Sequence, residues 1–506
     1  MVIIPAALGA VLLLTGCSGK TTGATDVTAS SADLQATANC DQGLTCLYYW
    51  EWWRASKPRS TSTKSQVHGL TQTSPTAISQ HITGLKPNTA YRWVLCGSPN
   101  NGGNYFCTGP NGTLENTTDD PPKDYDTFTT QPATTNVQIP PLPDGAINDQ
   151  FNGVSCTSTT SCMAVGYSDD NHDASPLAGH WDGASWTIVP VPVPTGTTLA
   201  RLFGVSCPSE DSCTAVGGYQ TGGPPEMTLV EHWDGTSWTI QTSPNQTSSD
   251  EVGHDQDELR SVSCTSANSC VAVGSWTFHA GQPDQGTTTL AASWDGTTWT
   301  LDPAPPLSAG ASSGGVLAVT CTSATSCEAV GTVDSTPGQQ APLADHWDGS
   351  AWTVQTTQQP AGSSGSNFYG VSCASATACT AVGDLYTTNG GVRLTLAERW
   401  DGSSWTIQTT PNPSDAAYAG PLNSVSCPTS RACFAVGSYH STSGSDLSLV
   451  ERWNRKGWAI VPSANPSATD NELFGISCVA AAECTAAGRI ENADSTFSAV
   501  AGSYPN

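Results

Sequence analysis

The sequence predicts an all-β chain: a small β-sandwich followed by a closed ring of seven four-stranded units. Three observations carry this. A Cys, five residues and a second Cys recur seven times, as Cys156/Cys162, Cys207/Cys213, Cys264/Cys270, Cys321/Cys327, Cys373/Cys379, Cys427/Cys433 and Cys478/Cys484, each followed by a near-constant Ala-Val-Gly. The first cysteines lie 51 to 57 residues apart, a period that marks a repeat architecture. Six of the seven pairs are followed by two Trp residues with four residues between them.

Aligned on the cysteines, each unit yields four strands. The first ends in a Gly-Val-Ser-Cys segment such as Gly204–Cys207. The second runs Cys-x-Ala-Val-Gly. The third ends at the first Trp, as in Leu229–Trp233, and the fourth begins at the second, as in Trp238–Gln241. Asp-Gly follows the first Trp in five units (Asp182, Asp234, Asp295, Asp348 and Asp401), a strong signal for a tight hairpin, and Asn454 opens the sixth. Four short antiparallel strands in each of seven units is the arithmetic of a β-propeller over 134–506. The seventh unit has Gly475–Cys478, Cys484–Gly488 and a third strand near Phe497–Gly502, and no fourth. Residues 136–141 match the fourth-strand pattern. They are expected to complete the last blade and remove the open edges that would template aggregation.

The cysteine pairs staple the first hairpin of each blade. A seven-residue ring constrains the unfolded chain by ~2.4 kcal/mol on the loop-entropy account. The paired Trp residues clasp the other hairpin, each able to bury roughly 150–250 Å². Ser155, Ser206, Ser263, Thr320, Ser372, Ser426 and Ser477 recur before each first Cys. They are expected to form a hydroxyl ring toward the channel or the blade seams.

The N-terminal part has its own grammar. Residues 2–14 are apolar but too short to span a bilayer, and Leu14-Thr15-Gly16-Cys17 follows. This resembles a bacterial lipoprotein signal. The resemblance implies a signal peptide over 1–17 with Cys17 lipidated, anchoring an exported protein to the outer face of the cytoplasmic membrane. Residues 18–30 read as a flexible tether. Between 31 and 132, Asp33–Ala38, Thr45–Trp53, Ile78–Gly84, Ala90–Cys96 and Tyr125–Thr130 alternate as strands. Leu85–Tyr91 carries the spacing of a tyrosine corner, and with Thr127–Thr130 the segment resembles a fibronectin type III domain, which implies a stalk. Setting Cys17 aside from nineteen cysteines leaves an even number, which in an exported chain implies disulfides. Cys40–Cys46 and Cys96–Cys107 are the expected local staples of this domain. Alternation puts Trp50 and Trp52 on one face of their strand and Trp53 on the other, and one of these faces is expected in the sandwich core.

A net charge of -26 excludes nucleic acid and anionic membrane as partners, since both need basic patches. Membrane contact is expected through the lipid anchor alone, and the chain is expected to be a monomer. No cofactor or metal is expected: the cysteine spacing is wrong for zinc and the acidic runs match no calcium loop.

Loop lengths divide the propeller into two faces. The Cys-to-Cys and Trp-to-Trp loops share one face and keep constant length, so that face is expected to bind nothing. The other connections vary: Gly166 to Trp181 is 15 positions and Gly274 to Trp294 is 20. Binding specificity concentrates on such loops. The two longest insertions, 249–258 and 277–284, adjoin at the third blade, and Phe278, His279, Asp255, Asp257 and Glu258 are the candidate ligand residues.

The Asp-Gly hairpin is similar to the Asp-box of sialidase-type propellers. A hydrolase of that kind needs paired carboxylates and, for acidic sugars, clustered arginines. Here His180, His232, His346, Arg399 and Arg452 fill one repeated slot and are dispersed around the ring. The expected function is therefore non-catalytic: a surface lipoprotein whose variable face binds a protein or glycan. The alternatives are an envelope scaffold without external ligand, or a sialidase-like glycoside hydrolase.

Overall fold

The computed structural model describes residues 17–25, 32–41, 44–82, 85, 89–99, 106–108, 110–111, 115–116, 125–129, 136–140, 147–170, 173–223, 225–246, 256–278, 286–336, 339–388, 391–481 and 483–505. The chain divides into two compact units, Met1–Thr134 and Thr135–Asn506.

The first unit packs two sheets face to face. Cys17–Thr25, Ala32–Cys40 and Thr76–Ile82 form one. The other is built on Cys46–Arg54 and Ala90–Pro99, with five short strands added. Strict alternation buries Leu34, Ala36 and Ala38 on one face of their strand, against Trp50, Trp93 and Leu95 of the other sheet. Trp53 points the opposite way and packs with Tyr49 and Val94, while Trp52 is half-buried beside the main core. A buried ion pair, Arg59 to Glu51 at 2.9 Å, lies against the Cys96–Cys107 bridge. Residues 86–88 of the expected tyrosine corner lie outside the described residues.

The stretch expected as a tether contains a strand: Cys17–Thr25 pairs antiparallel with Ala32–Cys40, placing Cys17 opposite Cys40. Its Ser, Thr and Gly residues suit an edge as well as a linker, and the neighbouring strand supplies the ladder. Cys17 and Cys40 both lie at bridging distance from Cys46, with Cα separations of 5.8 and 5.7 Å. One sulfur makes one disulfide, so the two pairings are alternatives.

The second unit is the seven-bladed propeller. The second blade shows the plan: Leu199–Ser209, Ser212–Gln220, Glu226–Trp233 and Trp238–Gln241 pair in order as an antiparallel sheet. All seven Cys pairs of the ring are bridged as expected: Cys156–Cys162, Cys207–Cys213, Cys264–Cys270, Cys321–Cys327, Cys373–Cys379, Cys427–Cys433 and Cys478–Cys484. In six blades the second cysteine of the pair lies at the start of the second strand and faces the first Trp on the third, as Cys213 faces Trp233, Cys327 faces Trp347 and Cys379 faces Trp400, while Cys484 of the seventh faces Tyr504. The staple and the aromatic clasp of a blade are thus neighbours in one ladder. Asn136–Gln138 pairs with Phe497–Pro505 and supplies the fourth strand of the last blade. The seven first strands touch one another in sequence around the axis, the last against the first.

The near-constant glycine of Ala-Val-Gly follows from a bulge. In every blade the first strand carries one extra residue against the second, as between Leu202 and Gly204. The bulge drives a carbonyl of the first strand onto that glycine. A Cβ on Gly217 would lie 1.8 Å from the Arg201 carbonyl oxygen. The Asp-Gly hairpins are equally determined. The glycines take φ near +92° to +97°, and Asp234 Oδ1 accepts from the N–H groups of Thr236 and Ser237 at 2.9 Å each. The Thr236 hydroxyl, which donates to the same oxygen at 2.7 Å, and these backbone bonds hold the carboxyl of Asp234 down to about 2.

The seams between blades are fixed by the hydroxyl ring. The N–H of the first Cys in one blade donates to the Ser Oγ of the preceding blade. Cys207 bonds Ser155, Cys264 bonds Ser206, Cys321 bonds Ser263, Cys427 bonds Ser372, Cys478 bonds Ser426 and Cys156 bonds Ser477, at 2.9 to 3.0 Å. The seventh position is Thr320, and among the described residues no such bond joins it to Cys373. Small residues let the backbones approach: a Cβ on Gly204 would lie 3.0 Å from Ser261 Cα.

The third strands bury carboxylates two positions before the first Trp: Glu231, Asp345, Glu398 and Glu451 are fully buried. Burial pushes Glu231 and Glu451 up to about 8, and Glu398 and Asp345 to about 7. The folded protein therefore holds protons that the unfolded chain, titrating near 4.5, has released. Its stability falls as pH rises from about 4.5 through about 8. Thermal melts from pH 5 to 9 are expected to show this decline. Glu451→Gln, which keeps the shape and removes the charge, is expected to flatten it and raise the pH 9 melting temperature by roughly 2 °C or more.

Candidate functional site

The residues expected to form a site on the variable face are largely occupied within the protein. Asp257 is buried and accepts from the Gln246 N–H at 2.7 Å, tying down the connection into the third blade. Glu258 pairs with Arg260, whose guanidinium lies over Phe203 at 4.4 Å. Phe278 stacks on Trp276, ring centroids 5.4 Å apart, and covers Gly286 so closely that a Cβ there would meet the ring at 2.2 Å. Its apolar ring packs the base of the loop. Asp255 and His279, with most of both insertions, lie outside the described residues.

The open site lies on the other face, at the seam between the fourth and fifth blades. A cleft of about 610 Å³ is lined by Thr325, Glu328, His346, Asp348, Gln355 and Trp400, among others. The constancy of the loops there was the reason to expect no binding, yet loop length is silent about the side chains behind the loops. The bridged cysteines belong to the scaffold of this site and do not border it. Cys213, Cys327 and Cys379 are buried in the cores of the second, fourth and fifth blades, and none of them lines the cleft. Cys379 acts indirectly, by fixing the strand position of Trp400.

Glu328 is the key departure. It follows the second Cys, a slot held by Met163, Thr214, Val271, Thr380, Phe434 and Thr485 in the other blades. That slot faces the next blade: Thr214 meets Cys270 sulfur at 3.8 Å, Thr380 meets Cys433 at 3.5 Å, and Cys162 meets Thr485 at 3.7 Å. In the fourth blade it directs a carboxylate into the seam. Glu328 Oε1 bonds His346 Nδ1 at 2.8 Å, Oε2 is fully buried, and the Gln355 side chain lies against the same carboxylate. Burial pushes the Glu328 carboxyl up to about 7, against the opposing pull of His346 and the Gln355 side chain. Asp345 is fully buried nearby, and burial, with the Glu328 charge, pushes its carboxyl up to about 7 as well.

The same bond keeps His346 off the Trp of the next blade. At two other seams the residue before the first Trp lies across the first Trp of the next blade: His180 on Trp233 at 6.1 Å, and Arg399 on Trp453 at 3.6 Å. His346 turns instead to Glu328, and among the described residues no side chain from its blade stacks on Trp400. Gln355 Oε1 accepts from Trp405 Nε1 at 2.5 Å and braces the floor. The missing Thr320–Cys373 bond belongs to this same seam.

No protein-family model and no curated protein matches the chain. Among solved structures it is similar to YCF48 bound to a D1 peptide, at 12% identity over 74% of this chain and 97% of that one, with a TM-score of 0.43. It is also similar to the GH74 xyloglucanase of Xanthomonas campestris, at 12% identity over 72% of this chain and 55% of that one, TM-score 0.44. A third is a PL25 ulvan lyase bound to a saccharide, at 9% identity over 70% and 94%, TM-score 0.41. Two of these are glycan-active enzymes, and the expectation that this chain is not an enzyme is corrected accordingly: catalysis is not excluded. Its premise was that like residues in repeated slots cannot converge. Glu328 breaks the repeat and places carboxylate, imidazole and a second acid together.

Replacing Phe278 by Ser, the residue at its place in the fourth and sixth blades, is expected to lower the melting temperature by removing the Trp276 contact. It is expected to leave the cleft at the fourth–fifth seam intact, which the fluorescence of a ligand titration and a thermal melt together would show.

Proposed function

We propose that this chain is an exported surface protein whose propeller binds a protein or glycan partner in the cleft at the fourth–fifth seam. One observation carries the reading. The seam where a buried slot departs from the repeat is also a seam that opens, and it brings a Trp left uncovered by the preceding blade together with polar groups. A large aromatic surface with a few convergent polar side chains is the usual make-up of a binding site. The reading is tested by screening oligosaccharides and cell-surface extracts against the full chain and its Trp400→Ala variant. The expected result is a ligand whose affinity falls by about tenfold or more on loss of the ring. A ligand bound equally by both would place the site elsewhere.

Lipid anchoring through Cys17 is part of the same proposal. What supports it is the cysteine count: nineteen sulfurs leave one over after nine bridges, and Cys17 competes with Cys40 for Cys46. Acylation of Cys17 would settle the competition in favour of Cys40–Cys46. Mass spectrometry of the protein from its native membrane is expected to find a lipid thioether on Cys17 and a Cys40–Cys46 bridge. A Cys17–Cys46 bridge would refute the anchor.

A further inference from the structure

The neighbouring seam holds an internal example of what the cleft lacks. Between the fifth and sixth blades, the Arg399 guanidinium lies over the ring of Trp453 and donates to the Ser430 carbonyl at 3.3 Å. Arg399 and His346 occupy the same repeat slot, and Trp453 and Trp400 occupy the next. One seam carries its own cation on its Trp. The other has withdrawn the equivalent side chain and left the Trp bordering an open cleft.

We infer that the fourth–fifth cleft is a receptor for a cationic side chain, an Arg or Lys of a partner protein, which lies over Trp400 as Arg399 lies over Trp453. This rests on the binding reading above and narrows it to a protein ligand. The charge of the cleft fits. Glu328 and Asp348 line it, and no Lys or Arg is among its lining residues. The Glu328 carboxylate, held by His346, is buried behind the cleft, and a cation drawn into the cleft would offset the cost of its burial through its charge. A cation over an indole face gains from the ring quadrupole as well. With 43 acidic against 17 basic residues, the whole chain favours a basic partner over an acidic one.

The test titrates the full chain with N-acetyl-argininamide and with the neutral isostere N-acetyl-citrullinamide, by calorimetry or ligand-observed NMR, and with cellotetraose as a neutral sugar. The double variant Glu328→Thr with His346→Arg reproduces Thr380 and Arg399 of the fifth blade, so it is expected to fold and to fill its own cleft. The expected result is argininamide binding about tenfold or more tighter than citrullinamide, abolished in the double variant. Glu328→Gln, which keeps shape and loses charge, is expected to weaken argininamide binding on its own, and it serves if the double variant fails to fold. Equal binding of the isosteres, or argininamide binding retained in a folded double variant, overturns the inference. Cellotetraose binding lost in that variant, without argininamide binding, overturns the cation and leaves the cleft as a binding site. No response to any probe, together with a partner indifferent to Trp400→Ala, overturns both.

Discussion

The propeller depends on one hydrogen bond, repeated from blade to blade. In six blades the first Cys points its N–H into the seam, where the Ser of the preceding blade accepts it. The bond needs the two first strands to come very close, and small residues at the crossing, Gly153 against Gly204 and Gly475 against Gly153, permit it. It also needs the Cys backbone held in register, which the disulfide across the first hairpin provides. Disulfide, glycine and serine are thus one device for building a seam out of small side chains. With the ring closed by Asn136–Gln138, the seams form a continuous circle.

A circle of near-identical seams makes departures informative. At the fourth–fifth seam Thr replaces Ser, Glu replaces a small or apolar residue, and a His that could lie on the next Trp is drawn away to a carboxylate. Each change alone is modest. Together they exchange packing for an accessible, acidic, aromatic cleft. The buried acids Glu231, Glu398 and Glu451 follow the opposite course. They repeat, are sealed from solvent, and bear on the pH dependence of folding.

Much of this architecture was legible in the sequence because it repeats. The period, the Asp-Gly hairpins and the Cys pairs each report local geometry that one side chain dictates, and the Cys pairs recur in all seven units and the Asp-Gly hairpins in five. The hydroxyl before each Cys could be expected at a seam for the same reason. The cleft was missed because attention went to loop length, which locates variable backbone, while the change at Glu328 lies within a strand of constant length. The signal was available: one acidic residue in a column of Met, Thr, Val and Phe. Phe278 misled in the converse way, since an apolar residue in a polar column can as well seal a loop as greet a partner, and Gly286 beneath it decides for sealing. The tether at 18–30 failed because Ser, Thr and Gly are equally at home on an edge strand once a neighbour offers a ladder.

The central claim is that, among the described residues, six seams carry the Ser-to-Cys bond and the one bordering the cleft does not. Native-state hydrogen exchange at the amides of Cys156, Cys207, Cys264, Cys321, Cys373, Cys427 and Cys478 tests it most directly, since an amide bonded across a seam exchanges only when the seam opens. The account predicts that Cys373 exchanges fastest and stands apart from the other six. Seven equally protected amides, or slow exchange at Cys373, would contradict it.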